Sequence, residues 1–128
     1  MTLPPATAAL KAVLEAMPGA TADPVTASRG ATPVAVMYKI MGRMFAILSA
    51  RAAPFVILKC DPVLAEVLRE QYAGVGHRSH LDRRFWISID LDADVPADQI
   101  EQLAAASYDL VRAGLTRKQR AALEASSP

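Results

Sequence analysis

The sequence predicts an α+β domain in which an antiparallel sheet carries helices on one face. Three observations lead there. Two stretches, residues 34–40 and 85–91, alternate with period two, and two further apolar stretches, 44–49 and 55–59, read as strands. Helical stretches with period 3.6 flank and interrupt them. The first three strands also follow one another through short connections, which favours antiparallel pairing.

The first element is a helix over about residues 6–17, where Leu10, Val13, Leu14 and Met17 recur at i, i+3, i+4 and i+7. Pro18-Gly19 ends it, because proline disfavours helix before it and glycine suits a cap. Residues 20–33, with Pro24, Gly30 and Pro33, read as loop with at most one short edge strand. From Val34 the period becomes two: Val34, Val36, Tyr38 and Ile40 alternate with Ala35, Met37 and Lys39. Met41-Gly42 supplies a hairpin turn, glycine taking the positive φ. Residues 44–49 form the return strand and 55–59 a third. Asp61 and Pro62 then open a helix as N-cap and first helical residue, and Leu64, Val67, Leu68 and Gln71/Tyr72 carry it to about residue 72. Residues 73–84 read as a long loop. Residues 85–91 form the fourth strand, with Ile87, Ile89 and Leu91 facing in and Trp86, Ser88 and Asp90 facing the other way. Pro96 opens a helix to about Ala113, whose inner stripe is Ile100, Leu103, Ser107 and Leu110/Val111, with Gly114 as cap. Thr116 and Gln119 make a capping box for a terminal helix. The order is α-β-β-β-α-β-α-α, with no repeat, and residues 1–128 read as one domain.

Composition narrows the function classes. Hydrophobic residues are 52% and charged residues 21%, enough to build a core, so wholesale disorder is excluded. The longest apolar run, Ala52–Leu58, contains a proline and is too short to cross a bilayer. Met1–Leu10 has no basic residue, so no secretory signal is expected. Cys60 is the one cysteine, which fits a reducing cytoplasm and leaves no internal disulfide. A net charge of +1 is low for a nucleic-acid binder. Its distribution is uneven: residues 1–59 carry +4, 60–89 balance, 90–109 carry −6 and 110–128 carry +3.

Catalytic motifs are weak. Ser79, His80 and Asp82 are triad residue types, but sequence neighbours rarely reach triad geometry, and no nucleophile elbow is present. Cys60 has no activating base nearby in sequence. No phosphate-cradling glycine loop occurs. No enzymatic activity and no cofactor are expected. His77, His80, Asp82 and Cys60 lack the spacing of a zinc site. Asp90, Asp92, Asp94 and Glu101 match positions 1, 3, 5 and 12 of a calcium loop, but Val95 stands where glycine is required.

Several segments resemble the MmcQ/YjbR family. Leu58-Lys59-Cys60-Asp61-Pro62-Val63-Leu64-Ala65-Glu66-Val67-Leu68-Arg69 is similar to its strand ending in Leu-Lys before a proline-initiated helix. His80-Leu81-Asp82-Arg83-Arg84-Phe85-Trp86 resembles its His-Met/Leu-Asn-Lys-x-x-Trp segment, and Met41-Gly42-Arg43-Met44-Phe45-Ala46 its Gly-Lys-x-Phe-Ala hairpin. Residues 90–100, followed by Ala106-Ser107-Tyr108-Asp109-Leu110-Val111, resemble its strand–Pro–helix–Ser-Tyr ending. The resemblance implies a CyaY-like (frataxin-like) fold and a DNA-binding role. Asp82 departs from the usual asparagine and sets a negative charge beside the expected site.

The residues expected to bind DNA are Lys39, Arg43 and Lys59 on phosphates, with Arg78, Arg83 and Arg84 extending the patch. Trp86 stacks on a base and His80 orients the loop. Two alternatives stand beside this: a protein-interaction or regulatory adaptor, and a frataxin-like metal binder using Asp90, Asp92, Asp94, Asp98 and Glu101. A monomer without membrane association is expected.

Overall fold

Two-residue periodicity across the middle of the chain becomes a six-stranded antiparallel sheet in the computed structural model, which describes residues 5–26, 33–50, 53–77 and 81–126. After helix α1 (Pro5–Ala16), the strands are β1 (Thr21–Thr26), β2 (Pro33–Ile40), β3 (Arg43–Ser49) and β4 (Phe55–Lys59). Helix α2 (Pro62–Gln71), β5 (Val75–Gly76), β6 (Trp86–Asp90), α3 (Ala97–Ala113) and α4 (Arg117–Ser126) complete the chain. The spatial order is β1-β2-β3-β4-β6-β5. Helix α2 therefore carries the chain past β6 to the far edge, and the chain returns through β6 to pair with β4.

One strand was allowed for only as a short edge strand, and one was not read from the sequence at all. β1 falls in the segment read mainly as loop and pairs with β2 through the register Ala22↔Tyr38 and Pro24↔Val36. Pro24 can sit there because an edge strand need not donate from every N–H. β5 lies inside the segment read as a long loop, and its two residues pair with Ser88 and Ile89. Two residues are too few for any periodicity to register.

The core lies on one face of the sheet. Tyr38, Ile40, Ala46, Leu48, Val56, Leu58, Ile87 and Ile89 are all buried within a single cluster with Leu10 and Leu14 of α1, Leu68 of α2 and Leu103 of α3. On the opposite face Ile57 and Ser88 are buried and in register, while Trp86 is half-buried opposite Lys59. Helix α2 packs through Ala65 and Leu68, whereas Leu64 and Val67 remain 40% and 49% exposed.

The hairpin turn is as the sequence predicts. Met41 (φ 50°) and Gly42 (φ 80°) both take positive φ, the signature of a turn whose twist matches its strands. Just beyond it the register slips: Tyr38 pairs with Ala46 and Lys39 with Met44, so Phe45 is the extra residue of a β-bulge. A bulge leaves backbone groups without ladder partners. Here the buried Ser107 hydroxyl donates to the Phe45 carbonyl at 2.6 Å and accepts from the Lys59 N–H at 2.9 Å. The Phe45 ring meets Tyr108 edge-on, 5.4 Å between centroids, and Tyr108 donates to the Pro18 carbonyl. At the corner between α1 and β1, Gly19 (φ 75°) has no room for a side chain: a Cβ would stand 2.0 Å from Leu123 Cδ1 of α4.

Replacing Ser107 by alanine strands a buried carbonyl and a part-buried N–H at once. The expected loss is about 2–4 kcal/mol, since each unsatisfied group costs roughly 1–3 kcal/mol, read as a lower urea midpoint at unchanged slope.

Candidate nucleic-acid interface

The described residues expected to contact DNA differ in how far their charges are already engaged. The side chain of Lys39 on β2 forms an ion pair with Asp23 of β1 at 3.0 Å, so its charge is already matched. Arg84 is held more tightly. Both carboxylate oxygens of Asp82 receive its side chain, at 3.2 Å and 2.8 Å, and the Arg84 backbone N–H adds a third bond. These bonds hold the Asp82 carboxyl below its ordinary pKa and raise that of Arg84. The guanidinium also sits 5.2 Å over the Phe85 ring. Asp82, which the resemblance marks as a departure, thus buckles the turn before β6 and consumes one expected phosphate ligand.

Arg83 and Lys59 have no ion-pair partner among the described residues. Arg83 lines a cleft of about 490 Å³ with Pro62, Glu66, Arg69, Glu70 and Arg84. Two glutamates make that cleft a poor host for a phosphate. Arg69 works as a structural brace there, donating to the carbonyls of Arg83 and Trp86 at 2.5 Å and 3.0 Å. Trp86, half-buried on the sheet, directs its ring away from the helices, in the direction the sequence predicts. Arg78 and His80 lie outside the described residues. His77 Nε2–H donates to the Leu81 carbonyl.

Arg43 comes to a place the sequence did not suggest. It pairs with Ile40 at the hairpin end, on the helix side of the sheet, and its Nη1 lies 4.0 Å from the position a Cβ would take on Gly114. Gly114 ends α3, and three residues later α4 begins with Arg117 and Lys118, followed by Arg120. The Thr116/Gln119 capping box forms as expected, with reciprocal bonds of 3.1 Å and 3.0 Å. Arg43, Arg117, Lys118 and Arg120 are all exposed and without an ion-pair partner among the described residues. Arg112, next along, is paired with Glu124 at 2.6 Å. Sequence reasoning registered a +3 excess over residues 110–128 but gave these cations no role. The usable signal was their position: cations in the first turn of a helix oppose the positive end of its dipole.

The acidic segment behaves otherwise. Asp94 accepts from the N–H groups of Ala73 and Gly74, both at 2.8 Å, which holds its carboxyl below the ordinary value. Among the described residues no three His, Cys, Asp or Glu side chains gather as a metal site would need. Cys60 is buried, and burial pushes its thiol up to about 11, so it is protonated near neutrality.

This arrangement defines a small α+β protein with an antiparallel sheet and its core under the helices on one face. Among the described residues no helix is long and apolar enough to cross a membrane. The chain belongs to the YjbR family, whose sequence model matches residues 15–110. It is 37% identical over 75 residues to YjbR of Escherichia coli (strain K12), a match covering 58% of this chain and 64% of that protein, a little under two thirds of its length. It is 28% identical over 83 residues to YbdF of Escherichia coli O157:H7, covering 64% and 68% of the two chains. The Deinococcus radiodurans protein DR2400, described as a DUF419 domain, superposes with a TM-score of 0.75 at 25% identity over 90% of this chain and 85% of that one. A Pseudomonas syringae protein shares the fold at a TM-score of 0.57 and 20% identity, over 70% and 86%.

The Asp94 clamp has a pH signature. A depressed carboxyl pKa contributes stability that is present above the unfolded value, about 3.9 for aspartate, and lost as pH falls through the lower folded value. The Gly74 amide resonance, followed by NMR, is therefore expected to titrate with a midpoint below that value, and Asp94→Asn to abolish the transition.

Proposed function

We propose that this chain acts by binding rather than catalysis, and that its ligand is a phosphate-rich polymer, with DNA as the leading candidate. One observation carries the reading: Arg43 reaches Gly114 at the start of the α3–α4 connection, and Arg117, Lys118 and Arg120 open the helix that follows, four exposed cations without ion-pair partners among the described residues. Placing cations at the positive end of α4 disfavours the isolated fold. A bound phosphate reverses the sign of that interaction, since it accepts charge-assisted bonds from the guanidinium groups and meets the helix N-terminus favourably. Local arrangements that violate a stability rule without structural compensation mark functional surfaces.

The surface differs from the one read from sequence. Lys39 and Arg84 are matched by Asp23 and Asp82 and contribute little. Lys59, Arg83 and Trp86 lie towards β4 and β6 and extend the contact only if the polymer crosses the strand ends. A reducing cytoplasm suits the protonated Cys60 thiol and such a ligand.

Fluorescence anisotropy of labelled double- and single-stranded DNA, titrated at two salt concentrations, tests the proposal. Binding should weaken steeply with salt, and Arg43→Ala and Arg117→Ala should each reduce the log–log salt slope by about 1. Arg84→Ala should leave the affinity nearly unchanged. Absence of binding at about 50 mM salt, where phosphate contacts are strongly favoured, would sink the proposal.

A further inference from the structure

Helix α2 is apolar on two sides, and only one of them is used by the core. Ala65 and Leu68 point inward, while Val63, Leu64 and Val67 are 71%, 40% and 49% exposed. Single exposed apolar residues are ordinary. These three are helical neighbours, and Leu64 opens directly onto a cleft of about 310 Å³ between α2 and α3. Its other wall is a stripe of α3, with Leu103, Ala106, Leu110 and Ala113, and Leu110 is 38% exposed. Steps of three and four residues place that stripe along one side of the helix over roughly 15 Å, about three turns at 1.5 Å per residue.

The charges around the cleft have a sign. Asp61 contributes a carboxylate from the α2 wall and Asp109 one from the α3 wall, against the single amine of Lys59. A second copy of the chain docking through this face would bring carboxylates against carboxylates.

We propose that the α2/α3 cleft receives an amphipathic helix of another protein, about three turns long, whose apolar stripe is flanked by lysine or arginine. Leucine-sized side chains at i, i+3/i+4 and i+7 would enter between Leu64 and Leu110, the arrangement by which helices lie in apolar grooves. Flanking cations would meet Asp61 and Asp109 and set the orientation. The cleft ends at Ala113, next to Gly114 where Arg43 lies, but it is lined by other side chains than the cationic corner, so substitutions test the two readings separately.

The test uses the full chain, isotope-labelled for NMR, and two synthetic amphipathic peptides with the same leucine stripe, one flanked by lysine and one by glutamate. The lysine-flanked peptide should shift the amides of Leu64, Val67, Leu110 and Ala113 and bind at least about 10-fold more tightly than its counterpart. Leu110→Glu and Leu64→Gln should each abolish binding while the thermal midpoint stays close to that of the parent, because both side chains are solvent-exposed. Asp109→Lys should reverse the preference between the peptides, and Arg117→Ala should leave it intact. Equal affinity for the two peptides, or shifts outside α2 and α3, overturns the proposal. So does a concentration-dependent dimer in sedimentation that Leu110→Glu abolishes, which would assign the face to a second copy.

Discussion

The register of α3 against β3 and β4 depends on one hydroxyl. Ser107 is fully buried and joins the bulged residue Phe45 of β3 to the last residue of β4. A bulge bends and twists a strand but leaves backbone groups that the ladder no longer serves. Satisfying them from a helix side chain fixes the helix at one depth and one position along the sheet. The neighbouring Tyr108 then packs edge-on against Phe45 and reaches Pro18, so the same turn of α3 also sets the corner after α1. A larger residue at position 107 would push the helix away, and an apolar one would leave the bulge unserved.

The cations of this protein are sorted by geometry more than by number. Some are absorbed by the fold: Lys39 by Asp23, Arg84 by Asp82, Arg112 by Glu124, and Arg69 by two backbone carbonyls. Those at the end of the hairpin and the start of α4 are not. A net charge of +1 therefore conceals a local excess at one corner, because neutralisation elsewhere on the chain does nothing for charges there. The carboxylates show the same division. Asp61 and Asp94 close a helix and a turn by accepting backbone N–H groups, while Asp109 and the glutamates of α2 face outward.

Much of this architecture was legible in the sequence. The fold class, the alternation of β2 and β6, the Asp61-Pro62 helix start, the Thr116/Gln119 box and the Met41-Gly42 turn all follow from short-range rules that act within a few residues. What was not legible depends on distant partners. β5 exists because a neighbouring strand offers its edge, and the same pairing extends the short edge strand allowed for in residues 20–33 into β1. Leu64 and Val67 fit a helical period, yet the sheet accepts only the Ala65/Leu68 side of α2. The loop cations read as a continuous patch, but Asp82 folds back on Arg84 two residues away, a bond that sequence spacing allows without requiring. The corner that joins Arg43 to α4 spans residues far apart in the chain and carries no linear signature at all.

The contact between Gly19 and Leu123 has a consequence for the order in which the molecule can be completed. The corner after α1 and the residue that fills it are 104 positions apart in the sequence. At about 5–20 residues per second, synthesis separates them by roughly 5–20 s. During that interval the socket beside Gly19 has no occupant, however complete the sheet has become. Helix α4 therefore acts as the closing piece of assembly, and any event that delays its docking holds the nascent chain open at its first corner.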